Sequence, residues 1–175
     1  MTQTSAKEID DAAAVALQLV RGAFAGRAPP NEITDSKQLS DSEYEEVMSF
    51  EGLHWQDVSV DLVEQAPDAV FWFSPEAFCY YLPGVLSAGI GAGRSDLLYF
   101  DTLIGCLDRS PEPDYWDDFF YPRFTLLSPQ EIDAVSAWAR WMELVQPEGY
   151  HEFTYQRVQG TLELLRQRAI HGSSE

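Results

Sequence analysis

The residues that could bind a metal ion are few, and the most suggestive group begins at His54. Asp57, Asp61 and Glu64 follow it at steps of three or four residues, which would place all four side chains along one helical face. Carboxylate oxygens on such a face suit a hard cation, but the calcium-loop pattern with its central glycine is absent from this sequence. We therefore favour a solvated acidic face over a metal site.

A second group of side chains that could take part in catalysis lies in the segment DYWDDFFYPRF, residues 114–124. Aromatic neighbours could desolvate Asp114, Asp117 or Asp118 and raise a carboxyl pKa, as a glycosidase acid requires. We expect a loop or short strand that covers the core as a lid. The alternative is a binding surface formed by this aromatic loop: Tyr115, Trp116, Asp117 and Asp118.

The remaining sequence motifs do not complete a catalytic or cofactor site. His151 is followed by Glu152, but the residue four positions after it is Tyr155 and not the second histidine of a zincin motif. The stretch GIGAGRSD lacks the G-x-G-x-x-G order and the preceding strand of a dinucleotide fingerprint. With no G-x-S-x-G elbow, Walker loop or CxxC pair, the sequence favours a non-catalytic protein and indicates no cofactor.

Negative charge is concentrated in the first half of the chain. The protein has 29 acidic and 11 basic residues, a formal charge of −18, and between positions 28 and 93 Lys37 is the only basic residue. Such a field repels nucleic-acid phosphates and attracts basic proteins. We predict a partner-binding acidic surface made of Asp41, Glu43, Glu45, Glu46, Glu51, Asp57, Asp61 and Glu64.

The hydropathy pattern argues against a membrane protein. The longest apolar run is interrupted by Ser74, Pro75, Glu76 and Pro83, so it is too short to cross a bilayer. The N-terminus shows no secretory signal, which favours the cytoplasm. The two cysteines are expected to be reduced core residues and not a disulfide.

The stretch FWFSPEAFCYYLPGVLSAGI, residues 71–90, should lie at the centre of the fold because it is almost wholly apolar. Ser74, Pro75 and Glu76 form a helix start: a capping side chain, a residue without an N–H group, and an acid at the positive end of the dipole. Pro83 removes one helical hydrogen bond. We therefore expect two short helices joined by a kink or restart at Pro83.

Helical spacing and capping signals predict further helices along the chain. They are expected over residues 9–24, after a capping box at Ser40 and Glu43, over residues 58–64, after a Ser95 cap, after Ser128, and over residues 152–169. Residues 69–73 are β-prone and could form a short strand. The predicted fold is mainly α: one domain, residues 1–175, with an ordered core of about 9–169, six or seven helices and at most a minor two-stranded element.

Two sequence blocks carry a resemblance to known proteins. FWFSPEAFCYYLP, residues 71–83, and RFTLLSPQEIDAV, residues 123–135, together with Trp55, are similar to an uncharacterised group of small acidic bacterial proteins with a Ser-Pro-Glu-Ala-Phe-x-Tyr-Tyr-Leu-Pro core. The similarity spans roughly residues 9 to 165. It implies a bacterial origin and no established activity.

These observations lead to two functional hypotheses. The favoured one is a non-catalytic acidic module that binds a basic protein, of which an immunity or inhibitor protein is one specific form. The alternative is a small enzyme or metal-binding protein that uses His54 or the Asp114 to Asp118 loop. The sequence leaves the oligomeric state open.

Overall fold

A computed structural model describes residues 5–172 of the chain, and every regular element within that range is helical. Six helices have eight residues or more: α1 (Ala6–Ala23), α2 (Asp41–Met48), α5 (Pro75–Gly91), α6 (Leu98–Leu107), α8 (Pro129–Val145) and α9 (Thr154–Gly172). Three are shorter: α3 (Val60–Gln65), α4 (Ala69–Trp72) and α7 (Phe120–Phe124). The remaining regular elements are two 3-10 turns, Trp55–Asp57 and Pro113–Tyr115. The prediction of a mainly α fold is confirmed.

The helices pack around one contiguous hydrophobic core. The long helices α1, α8 and α9 pack side by side, with α8 between its two neighbours, and α1 also packs against α5. The 3-10 turn at Trp55–Asp57 lies on α5, and α6 contacts α9. These contacts leave α5 surrounded, since twelve of its seventeen residues are buried.

Local capping chemistry sets the starts of the main helices, as the sequence indicates. The Ser74 hydroxyl accepts a hydrogen bond from the Ala77 N–H at 3.1 Å, and Pro75 occupies the first turn of α5. Complete capping boxes begin α2, between Ser40 and Glu43, and α8, between Ser128 and Glu131. These predicted starts are confirmed because the signals act within four residues of chain.

The expected break at Pro83 is wrong: α5 continues as one helix from Pro75 to Gly91 with Pro83 inside it. A proline in a helix interior costs about 3 kcal/mol. A break would expose further backbone groups in a region where water cannot satisfy them, because both Pro83 and Gly84 are buried. Burial of the whole segment therefore outweighs the local defect.

Three other sequence-based expectations also need correction. Residues 69–72 form helix α4 and not a strand, and the 114–124 segment contains a 3-10 turn and helix α7. Ser95 does not cap α6, whose N-cap is Leu97; its hydroxyl instead accepts from the Gln146 amide at 3.0 Å. Helices α4 and α7 both bury residues in the core, so packing there overrides a weak local preference.

The chain ends differ from expectation by a few residues. Helix α1 begins three residues before the predicted Ile9, and α9 continues to Gly172, so His171 is helical. The predicted fraying of the C-terminus otherwise concerns residues 173–175, which lie outside the described range.

Candidate functional site

The eight residues of the acidic surface divide into two groups by what they contact. Glu43 closes the capping box of α2 by accepting from the Ser40 N–H at 2.7 Å, and Glu46 accepts from the Asp68 N–H at 3.2 Å. Glu64 forms an ion pair with Arg94 at 2.6 Å. These three carboxylates have partners within the protein, and the Ser40 contacts lower the pKa of Glu43.

The other five carboxylates are exposed and pair with no cation among residues 5–172: Asp41, Glu45, Glu51, Asp57 and Asp61. They lie on α2, on the turn that follows it, on the first 3-10 turn and on α3. The structure thus leaves a continuous stretch of chain whose negative charge is not neutralised internally. Such a surface favours encounter with a positively charged partner.

His54 does not join the acids in a metal site. Its Nδ1 accepts a hydrogen bond from the Gln56 N–H at 3.2 Å, and Glu64 is held by Arg94. Across residues 5–172, no three His, Cys, Asp or Glu side chains gather closely enough to hold a metal ion. The helical spacing that suggested a shared face is broken because His54 is the extended N-cap of the 3-10 turn Trp55–Asp57, and α3 begins only at Val60.

The aromatic loop is divided between the core and the surface. Trp116 is buried and donates from Nε1 to the Ser110 carbonyl at 3.1 Å, whereas Tyr115 is 73% exposed. Asp117 accepts from the Phe120 N–H at 2.8 Å and forms an ion pair with Arg109 at 2.8 Å. Asp117 therefore organises the start of α7.

Asp114 and Asp118, the other two acids of this loop, are exposed to solvent. A glycosidase-type acid needs a carboxyl group that burial has desolvated. The structure does not provide that environment at either position, so the geometry does not favour the carboxylate-pair hypothesis.

The sequence interpretation missed a cavity of about 330 Å³ beside the acidic surface. Its lining includes Pro29, Pro30, Asn31 and Ile33 and the residues from Glu51 to His54. Tyr80 and Tyr81, on α5, complete the lining. The sequence does indicate that these tyrosines are buried, but nothing in it shows that they reach a cavity.

Two hydrogen bonds and one glycine hold the cavity walls in place. The Ser74 hydroxyl donates to the Glu32 carbonyl at 2.7 Å, and the Ser74 N–H donates to the Ile33 carbonyl at 2.9 Å. The part of the lining from Glu51 to His54 turns at Gly52, whose φ of 75° lies in the left-handed region that glycine adopts without strain. The cavity is therefore part of the folded framework.

A larger cavity of about 570 Å³ lies between α6 and the start of α9. Its polar groups are mostly paired: the Tyr150 hydroxyl donates to Asp101 at 2.5 Å, and Asp108 forms an ion pair with Arg157 at 2.5 Å. The Arg157 guanidinium lowers the pKa of Asp108. This cavity has fewer free groups with which to recognise a ligand.

The cysteine prediction is confirmed, since Cys79 and Cys106 are both buried and free. Burial raises the pKa of Cys79 to about 12, and its thiol donates to the Arg123 carbonyl at 3.2 Å. A buried, protonated thiol is a poor nucleophile.

The fold and these sites define an acidic, all-helical protein within residues 5–172. Comparison of the chain with protein-family models, with curated proteins and with solved structures gives no significant match. The resemblance to small acidic bacterial proteins therefore stays a prediction. None of the helices in the described part of the chain has the length and hydropathy needed to cross a membrane.

Proposed function

We propose that this protein is a non-catalytic module that binds a basic protein through its acidic surface. The observation that carries the proposal is the set of five exposed carboxylates, defined above, that have no cationic partner within residues 5–172. Unpaired exposed charge of one sign speeds encounter with a partner of the opposite sign. The proposal includes a bacterial origin, a cytoplasmic location and no nucleic-acid partner, because phosphate backbones are repelled by the same field.

An immunity or inhibitor protein that neutralises a cationic partner is the specific form of this role that we propose. It requires no catalytic group, and it fits a site where charge and a preformed cavity adjoin. The enzyme and metal-binding alternatives gain no specific support, because His54 and Asp117 have structural partners.

Binding of a basic probe tests the proposal. An eight-residue peptide of alternating lysine and arginine should bind the full chain at about 0.05 M NaCl and lose most of its affinity by about 0.5 M, because salt screens exposed charge. Fluorescence anisotropy of the labelled peptide measures this. Affinity that does not change with salt, or no binding at low salt, would contradict the proposal.

Two matched triple variants locate the interaction. Glu45→Gln, Asp57→Asn and Asp61→Asn together should weaken peptide binding about tenfold, since each exposed contact contributes up to about 1 kcal/mol. Asp10→Asn, Asp11→Asn and Glu148→Gln remove the same charge from exposed positions on other elements. Equal weakening by both triples would mean that net charge alone, and not this surface, binds the peptide.

A further inference from the structure

The cavity formed by Pro29–Ile33, Glu51–His54 and Tyr80–Tyr81 differs from the rest of the acidic surface because it is concave and lined with rings. We propose that it is an anchor pocket for one arginine side chain of the basic partner; this inference rests on the proposed function. Its volume of about 330 Å³ is at the lower end of the range for small-molecule sites, roughly 300–1,000 Å³. That size suits a single side chain.

The first observation is an unpartnered hydroxyl, on an otherwise buried tyrosine, at the cavity. Tyr80 is 2% exposed and lines the cavity, yet its hydroxyl has no hydrogen-bond partner among residues 5–172. The adjacent Tyr81 is equally buried, but its hydroxyl donates to the Phe50 carbonyl at 2.6 Å. The Tyr80 oxygen is therefore free to accept a hydrogen bond from a ligand that enters the cavity.

The second observation is the charge of the lining. No lysine or arginine lines the cavity, and Glu51 at its rim is exposed and unpaired within residues 5–172. The other free carboxylates of the acidic surface lie on the neighbouring turn and helices. An anionic group would be repelled here, whereas a cation gains a carboxylate partner.

The third observation favours guanidinium over ammonium. The His54 ring meets the Tyr80 ring edge to face, with centroids 6.1 Å apart and an interplanar angle of 79°, and Pro29 and Pro30 also line the cavity. A planar guanidinium stacks on rings and donates several hydrogen bonds at once, to a carboxylate and a hydroxyl together. Its aliphatic stem would cover the prolines.

NMR titration of the 15N-labelled full chain tests this inference. The probe is an acetylated, amidated peptide of alternating arginine and glycine, and its control replaces each arginine with citrulline, a neutral side chain of the same shape. The arginine peptide should shift the amide signals of Gly52, Leu53 and His54, and the citrulline peptide should not. A matching lysine peptide that binds equally well would overturn the guanidinium assignment.

Variants separate the pocket from the surrounding charge. Glu51→Gln should weaken the arginine peptide about tenfold because a charged hydrogen bond is lost, whereas Asp61→Asn, outside the cavity, should weaken it about twofold at most. Tyr80→Phe should weaken it about threefold, and its unchanged thermal transition would show that the fold is retained. The affinities of the three variants should be compared at one fixed salt concentration, so that screening is the same for each.

The outcomes distinguish this inference from the proposed function. If the arginine peptide binds in a salt-dependent way, but Glu51→Gln and Asp61→Asn weaken it equally and no signal near the cavity shifts, the anchor pocket is wrong and the acidic module stands. If neither basic peptide binds at low salt, both proposals fail.

Discussion

Tyr80 and Tyr81 are neighbours on α5 with the same exposure, but their hydroxyl groups have different roles. The Tyr81 hydroxyl satisfies the Phe50 carbonyl, which also accepts from the Leu53 N–H at 3.2 Å. The Tyr80 hydroxyl faces a cavity and has no partner among the described residues. The sequence predicts that both are buried, but it cannot distinguish them because Phe50 is 31 residues away in the chain.

Replacing each tyrosine with phenylalanine should therefore have different effects on stability. Tyr81→Phe should lower the free energy of unfolding by about 1–3 kcal/mol, since the Phe50 carbonyl loses a buried hydrogen bond. Tyr80→Phe should change it by less than about 0.5 kcal/mol, as no bond within the protein is lost. Urea denaturation measures both. Equal losses would contradict the assignment of the two hydroxyl groups.

Tyr81 also predicts a change in stability at alkaline pH. Burial raises the pKa of Tyr81 to about 12, above the value of about 10 for an unfolded tyrosine. The neutral Tyr81 hydroxyl therefore makes its full contribution to the free energy of unfolding below pH 10. That contribution is lost as the pH rises through 12. Tyr81→Phe should lose less stability than the parent protein over that interval, measured in the same urea denaturation series at each pH. An equal loss in both proteins would contradict this prediction.

Asp117 shows how a residue with catalytic potential can have a structural role. Its carboxylate accepts from two backbone N–H groups at the start of α7 and pairs with Arg109. The sequence shows an acid among aromatic residues, a pattern that is typical both of a catalytic acid and of a structural hydrogen-bond acceptor. The structure shows the structural role, since both carboxylate oxygens accept hydrogen bonds within the fold.

At the scale of elements, the packing of the first 3-10 turn on α5 depends on a missing side chain. A Cβ atom at Gly84 would lie 2.2 Å from the Trp55 carbonyl oxygen and 2.8 Å from Val58 Cγ2. The turn carries His54 and Asp57 at its ends. The close approach of turn and helix therefore positions part of both the acidic surface and the cavity.

Gly84→Ala should destabilise the protein by about 1–3 kcal/mol or more, because the backbone oxygen of Trp55 cannot move without displacing the turn. Gly105 provides a matched control: it lies in α6, is exposed, and has no atom within 4 Å of an added Cβ. Gly105→Ala should stabilise the protein by about 0.5–1 kcal/mol, since glycine is unfavourable in a helix interior. Thermal denaturation of both variants checks the signs, and a neutral Gly84→Ala would contradict the packing described here.

The starts of α2, α5 and α8 and the short helix α3 were predictable, but the short helix α4 was not. Ser40, Ser74 and Ser128 cap their helices through contacts within three residues, so the sequence holds all the necessary information. Helix α4 has only four residues and packs against α2. A segment that short has little intrinsic helical stability, and a contact with a distant helix decides its form.

For the whole molecule, the formal charge of −18 should limit stability through self-repulsion. Raising NaCl from about 0.02 M to about 0.5 M should increase the melting temperature by about 2–4 °C, equivalent to about 1 kcal/mol, because salt screens the repulsion. Differential scanning calorimetry gives this value.

The triple variant Glu45→Gln, Asp57→Asn and Asp61→Asn is the control for this effect. It should melt at a higher temperature than the parent protein at low salt and gain less on salt addition, because three unpaired charges are gone. A parent melting temperature that falls with salt would mean that the six ion pairs outweigh the repulsion between like charges.

The sequence alone determined the helical class, the starts of α2, α5 and α8, and the sign of the surface charge. These follow from capping, periodicity and composition, which act within a few residues or sum over the chain. Only the tertiary structure decided that α5 continues through Pro83, that Asp117 and Glu64 have partners, and that Tyr80 lines a cavity. Those features depend on contacts between residues far apart in the chain, and no local pattern specifies which distant group will satisfy a buried one.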